Sequence, residues 1–305
     1  MAPREHIYGY SVLVLSAIIW GTEAILVKLC YSGGFSVAGL LSLRYLAALP
    51  VFVLILKIRG EPLKPPPALL IPMLKLSANV LAGVVTLYLA LALLPPTLAI
   101  LFFYAYPAFT SLLYLWFKRG PLGAPRLLAL LISALGLILL FWSSQAGLSG
   151  WGVACALASA LLQAVKLFQT ASLLPRISAA RLNFFTALTT AIAASLFWAA
   201  QAAFSAGGWG IAAISGPAWL YLLALGMIVT VFANLFMTLG IHYVGALDTS
   251  LVLLLEPLTT AALAFFIFGD LLNPWQTVGG LLILLAVALP AAANLRPAKN
   301  YKKEG

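Results

Sequence analysis

The sequence predicts an all-α integral membrane protein, with ten transmembrane helices forming two inverted five-helix repeats. Three observations predict this class. Of 305 residues, 64% are hydrophobic and 8% charged, with a mean hydropathy of +1.09; a soluble domain carries about 25% charged residues to cover its surface. Apolar runs of about 20 residues, the length of helix that crosses a bilayer, recur along the whole chain. Lys and Arg gather on alternate connections between those runs, as membrane topology requires. Together these exclude a soluble enzyme, a disordered chain and a nucleic-acid module. The net charge of +10 sets orientation and calls for no nucleic acid.

The ten runs lie at 8–31, 36–57, 69–92, 96–117, 125–143, 151–173, 180–204, 217–240, 247–268 and 274–293. The first is too long for a signal peptide, and no small-residue cleavage site closes it. Pro65-Pro66-Pro67 stiffens the turn before the third run. Pro95-Pro96 divides the third run from the fourth, and Gly245-Ala246 the eighth from the ninth. Merging either pair would exceed any plausible tilted span. With the N-terminus in the cytoplasm, every one of the 17 Lys and Arg falls inside except Lys28, Arg44 and Lys166, which lie within runs. Asp270 is the only charge on the outer connections. The expectation is a multi-pass protein of the inner (plasma) membrane with both termini cytoplasmic. The bilayer is its first partner, and Lys299, Lys302 and Lys303 can meet anionic lipid.

A five-run unit duplicated in tandem must enter the membrane inverted, because five is odd. Run 1 reads Ser16-Ala17-Ile18-Ile19-Trp20-Gly21-Thr22-Glu23. Run 6 reads Ser159-Ala160-Leu161-Leu162-Gln163-Ala164-Val165-Lys166, ending on a charge at the same offset. Pro107 in run 4 and Pro257 in run 9 follow in the same order. The predicted halves are residues 1–148 and 149–305, within one membrane domain. Inverted repeats are an architecture of secondary transporters, whose substrate site lies near midplane where the repeats meet.

Ionisable groups inside a span are expensive and normally face the bundle interior, a partner or a cavity. Glu23 and Arg44 lie at similar depths, roughly 12 Å below the outer surface, and an ion pair between them is geometrically reasonable. Two readings stay open, structural glue or a pair facing a substrate path. Lys166 continues an unusually polar helical face of Ser159, Gln163, Gln169 and Thr170, and either meets substrate or pairs with Glu256. Pro257 should free the carbonyl of Leu253 and Pro107 that of Phe103, so both are candidate gating kinks. Asn234 and Thr238 share one face with Thr230, and are cavity candidates. Trp20 and Tyr104 are candidate walls of the site, with packing as the alternative for any residue of the 102–106 aromatic run. Glu23, Lys166 and Glu256 are expected to point into one central cavity, with Trp20 and Gln163 one turn away. Asp248, at the start of run 9, reads as a helix N-cap.

The Trp20-Gly21 pair, Pro107, Glu256-Pro257 and the segment Gly269-Asp270-Leu271-Leu272-Asn273-Pro274-Trp275-Gln276-Thr277-Val278-Gly279-Gly280 carry a family resemblance. The chain resembles the EamA-like ten-span group of the drug/metabolite transporter superfamily across essentially its whole length. The closing motif usually reads Gly-Glu, a few residues, Gln, two residues, Gly; here Asp270 replaces the Glu, and Arg119-Gly120-Pro121 in the first half lacks the acid. The resemblance implies transport of amino acids, other metabolites, nucleotide sugars or drugs, and often export.

Residues and resemblance together lead to the expectation of a secondary transporter or exporter of small metabolites, most of all amino acids, working by alternating access. Carboxylates and cations beside aromatic walls suit a zwitterion slightly better than a simple cation or a sugar phosphate. A coupling proton or an exchanged solute is an expected partner, and no oligomer is required. A channel or structural membrane protein is the alternative, and a membrane-embedded enzyme a more distant one. Two His, two Cys without a CxxC, and no phosphate-binding loop point to no cofactor, no metal and no catalytic residues.

Overall fold

The computed structural model describes residues 3–94, 96–118, 121–140, 149–204, 214–268 and 273–295. Among these the chain is helical, with no strand. The helices are α1 (Pro3–Gly21), α2 (Glu23–Ser32), α3 (Val37–Ile58), α4 (Leu70–Leu93), α5 (Pro96–Phe103), α6 (Tyr106–Lys118), α7 (Ala124–Leu140), α8 (Gly150–Leu173), α9 (Ala179–Phe204), α10 (Gly216–Leu223), a π-helical segment (Ala224–Ala233), α11 (Asn234–Val252), α12 (Leu255–Phe268) and α13 (Pro274–Leu295).

Eight helical stretches among the described residues are long and apolar enough to cross a membrane, so this is a multi-pass membrane protein. Length alone does not recover all ten expected runs. The fifth is represented by α7, a shorter apolar helix, and its last three residues, 141–143, lie outside the described residues. The ninth is divided between the end of α11 and the 14-residue α12. The expected break at Gly245 is present. Gly245 has φ 81°, a left-handed value that a residue with a side chain avoids, inside the otherwise continuous 37-residue stretch Gly216–Val252. At the other expected break, Leu94 is extended and α5 starts at Pro96. Ser144, Asp270 and the basic tail lie outside the described residues.

Large apolar side chains cover the outside of the bundle. Leu131, Leu196, Phe197 and Leu281 are exposed along their helices, the pattern of a surface solvated by lipid. Trp116, Trp151 and Trp275 are exposed near helix ends, where an interfacial belt is expected.

Four helix pairs build the interior: α7 with α13, α4 with α8, α3 with α9, and α1 with α11. The seam between α7 and α13 is tight because Gly136 and Gly279 face each other. A Cβ on Gly136 would sit 2.9 Å from the Gly279 carbonyl oxygen, and one on Gly279 would sit 2.6 Å from that of Gly136. Two hydrogen bonds between serine hydroxyls and backbone carbonyls seat the first and sixth runs. Ser16 donates to the carbonyl of Ala233 at 2.7 Å and Ser159 to that of Gly83 at 2.9 Å.

The face at which α1 begins is fastened twice. Asp248 is almost fully buried, accepts from Arg126 Nε at 2.7 Å and Nη2 at 3.0 Å, and accepts from the Tyr10 hydroxyl at 3.0 Å. This corrects the N-cap expectation: Asp248 lies inside the helix that resumes after Gly245, and its carboxylate reaches across to α7 and α1. Nearby, Glu61 takes Arg59 Nε at 2.7 Å and also the Ser178 hydroxyl, while Arg181 donates to the Lys64 carbonyl at 2.6 Å. Glu61 keeps its carboxyl below the usual carboxylate range. Burial pushes it up, but the Ser178 hydroxyl and the Arg59 and Arg181 guanidiniums outweigh that.

Candidate functional site

Local breaks in three spans bring the polar groups together. α1 gives way to α2 at Thr22, whose hydroxyl turns back to the Ile19 carbonyl at 2.6 Å, and Trp20 and Glu23 flank that break. Across from it, the π-helical segment widens the middle of the eighth run over ten residues. The Thr230 hydroxyl donates to the Leu225 carbonyl five residues back, at 2.9 Å. Gly226 in the same segment admits α3 at close range, since a Cβ there would meet the Arg44 carbonyl oxygen at 2.7 Å and Ala47 Cβ at 2.8 Å.

Arg44 is thereby engaged on three nitrogens. Nε donates to Thr230 Oγ1 at 2.7 Å, Nη1 to Glu23 Oε1 at 2.5 Å and Nη2 to Glu23 Oε2 at 3.0 Å. The expected ion pair is present as a two-pronged fork, the geometry that suits guanidinium to carboxylate. Its side chains are 11% and 31% exposed, Arg44 the more buried.

Lys166 does not pair directly with Glu256. Its Nζ lies 5.6 Å from the centre of the Trp20 ring, and among the described residues no carboxylate comes within 4 Å of it. Glu256 lies in the first turn of α12, and a Cβ added to Gly21 would sit 3.2 Å from the Glu256 carbonyl oxygen. Tyr104 and Tyr106 are buried, with rings 6.1 Å apart. Thr260 ties this corner to the first run by donating to the Gly21 carbonyl at 3.0 Å. The two family-like motifs, Trp20-Gly21 and Glu256-Pro257, therefore meet in space.

Both prolines mark full interruptions. α5 stops at Phe103 and α6 starts at Tyr106; α11 stops at Val252 and α12 starts at Leu255. The Leu253 carbonyl, expected to be exposed by Pro257, accepts instead from the Glu256 amide at 3.0 Å. A three-residue turn has taken over the missing helical bond.

A polar cavity lies beside the ion pair, lined by residues that include Tyr45, Lys166, Asn183, Thr230, Asn234 and Thr238. It is narrow: about 40 Å³ is open to the centre of a water-sized molecule, room for about three waters. Ligand pockets of about 300 Å³ or more are usual, so a bound metabolite needs the surrounding helices to part. Of the expected site residues, Lys166, Asn234 and Thr238 line this cavity. Trp20 and Arg44 touch its wall through Lys166 and Thr230. Glu23, Tyr104, Gln163 and Glu256 are not among its lining residues, so the three charges expected in one cavity are divided. Asn183 and Tyr45 are lining residues that sequence reasoning did not select. Asn183 Nδ2 donates to Thr238 Oγ1 at 2.9 Å, a contact foreshadowed only by an amide within an apolar run.

Residues 7–142 and, separately, 150–291 match the EamA-like transporter family. The chain belongs to the EamA-like transporter family. Over 71 residues it is 31% identical to a protein of Archaeoglobus fulgidus named "Uncharacterized transporter", a match covering 23% of this chain and 26% of that protein. The matched stretch is thus about a quarter of that relative's length. A solved crystal structure shares the fold, with a TM-score of 0.79 at 18% sequence identity, over 92% of this chain and 97% of the other.

Proposed function

We propose that the chain is a secondary transporter that exports small metabolites, amino acids foremost, by alternating access. Two inverted five-helix repeats, residues 1–148 and 149–305, rock against each other in the inner (plasma) membrane with both termini cytoplasmic. The observation that carries this reading is that the contacts survive exchange of the halves. Exchange turns the α4–α8 pair into α11–α1, and α7–α13 and α3–α9 into themselves. It also turns the Ser16–Ala233 bond into the Ser159–Gly83 bond. The two separate family matches support the same division.

In this reading Trp20, Glu23, Arg44, Tyr104, Gln163, Lys166, Asn234, Thr238 and Glu256 surround the substrate path, and the interruptions at Pro107 and Pro257 let it open. A proton or an exchanged solute drives the cycle, and one chain suffices. Purified protein in liposomes, given a panel of labelled metabolites with and without a pH gradient, tests it. Saturable uptake accelerated by solute on the far side is expected, while a passive, non-saturating flux would identify a channel. Reporter fusions at Ser144 and Ala298 should read outside and inside; the same side for both overturns the topology.

A further inference from the structure

The interior charges are unequally committed. Arg44 spends three nitrogens on Glu23 and Thr230, and both oxygens of Glu23 are taken in return. Glu256 lies outside the cavity lining. Lys166 is the one charged residue among the described cavity-lining residues. Its ammonium rests over the Trp20 face without a carboxylate partner within 4 Å among the described residues. An ammonium brings three donors, and an indole face does not supply three acceptors.

The neighbouring polar groups have mostly spent their donors. The Thr186, Thr230 and Thr238 hydroxyls donate to backbone carbonyls of their own helices, at 2.9, 2.9 and 2.8 Å. Asn234 Nδ2 donates to the Thr230 carbonyl at 2.9 Å. What they chiefly offer a ligand is acceptor oxygen, namely Asn234 Oδ1 and the remaining lone pair of Thr238 Oγ1, which already takes Asn183 Nδ2. Phe52, Leu76, Val80, Leu182 and Met237 supply the apolar part of the lining.

Resting on the transport reading, we propose that Lys166 anchors the carboxylate of a small organic acid whose adjacent hydroxyl or amine donates to the Asn234–Thr238 belt and whose short apolar tail packs on the cavity's aliphatic wall. No carboxylate lines the cavity among the described residues to single out an ammonium group. A 2-hydroxy acid is therefore accepted as readily as the matching 2-amino acid, and an amino-acid amide is not.

The test is direct binding to the purified wild-type protein, read as a ligand-induced shift in unfolding temperature and titrated to a Kd. The probes are three matched sets: leucine, 2-hydroxyisocaproate and leucinamide, with the corresponding trios built on alanine and phenylalanine. In at least one set the two acids should bind within about threefold of each other, and the amide at least about tenfold more weakly. Lys166→Met should abolish acid binding, and Lys166→Arg should retain part of it. An amide that binds as well as its acid, an amino acid preferred more than about tenfold over its hydroxy acid, or no binding by any acid overturns the proposal. Because binding needs no gradient or flux, these outcomes are separate from failure of the transport assay.

Discussion

Removing one partner of the Glu23–Arg44 fork should cost more than removing both. Glu23→Gln leaves a guanidinium that is 11% exposed without its counter-charge. The expected loss is about 2–4 kcal/mol, below the full penalty of a sealed pair because Glu23 keeps contact with its surroundings. Glu23→Gln with Arg44→Gln should recover part of that loss. Unfolding midpoints in detergent decide it, and a double variant as weak as the sum of the singles would refute the pairing. Glu61 gives a second prediction at this scale, one that depends on pH. Its carboxyl is held below its ordinary value of 4.5, so its contribution is fully present above that pH and fades as pH falls through the lowered value. Wild type should exceed Glu61→Gln by about 1 kcal/mol at neutral pH. The gap should narrow as pH falls below 4.5. A gap of constant size all the way down the acid range would mean that shape, not charge, holds Ser178 and Arg59.

The α7–α13 seam tests packing at the scale of elements. Gly136→Val places branched carbons where 2.9 Å separates the first added atom from the opposing backbone, so the helices must part. A loss of about 1–3 kcal/mol is expected, against near neutrality for Gly150→Ala, whose Cβ position meets nothing within 4 Å. Equal midpoints for the two variants would show that the seam is looser than its geometry. Elements of this kind are largely legible in sequence, because a bilayer forces long apolar runs and leaves Pro and Gly to mark their ends. The Glu23–Arg44 pair is legible too, since counting residues from run ends gives comparable depths. Thr230's hold on Arg44 is not: it depends on a π-helical register, which shifts a side chain without changing composition or period enough to notice. Nor is the Arg126–Asp248 contact, made between residues 122 positions apart in the chain. Asp248, three residues after a glycine break, looks like a helix cap until the fold brings α7 beside it.

The whole molecule has two ends, and among the described residues only one carries that contact. By the spacing that relates Pro107 to Pro257, the counterparts of Arg126 and Asp248 are Gln276 and Leu98; by the spacing that relates Glu23 to Lys166, Tyr10 corresponds to Val153. Gln276 bonds its own loop through Asn273, and Leu98 has no charge to offer. Asp248→Asn should therefore free the α1-start face. A cysteine placed at Thr238, in a chain with Cys30 and Cys155 replaced, should react at least about tenfold faster with an impermeant thiol reagent applied from that side. Unchanged labelling would show that the contact holds packing alone.

If the proposed alternating access between two opposed copies of one part holds, perfect duplication would make the two resting postures isoenergetic. The Asp248 fastening would then break that degeneracy. A tilt of about 2 kcal/mol makes one posture roughly thirtyfold more populated before any cargo arrives. On that reading, which way the empty molecule faces is written in three side chains that lie outside the cavity. Natural variation there would reverse the idle posture without altering what the cavity recognises, making cargo and direction separately adjustable.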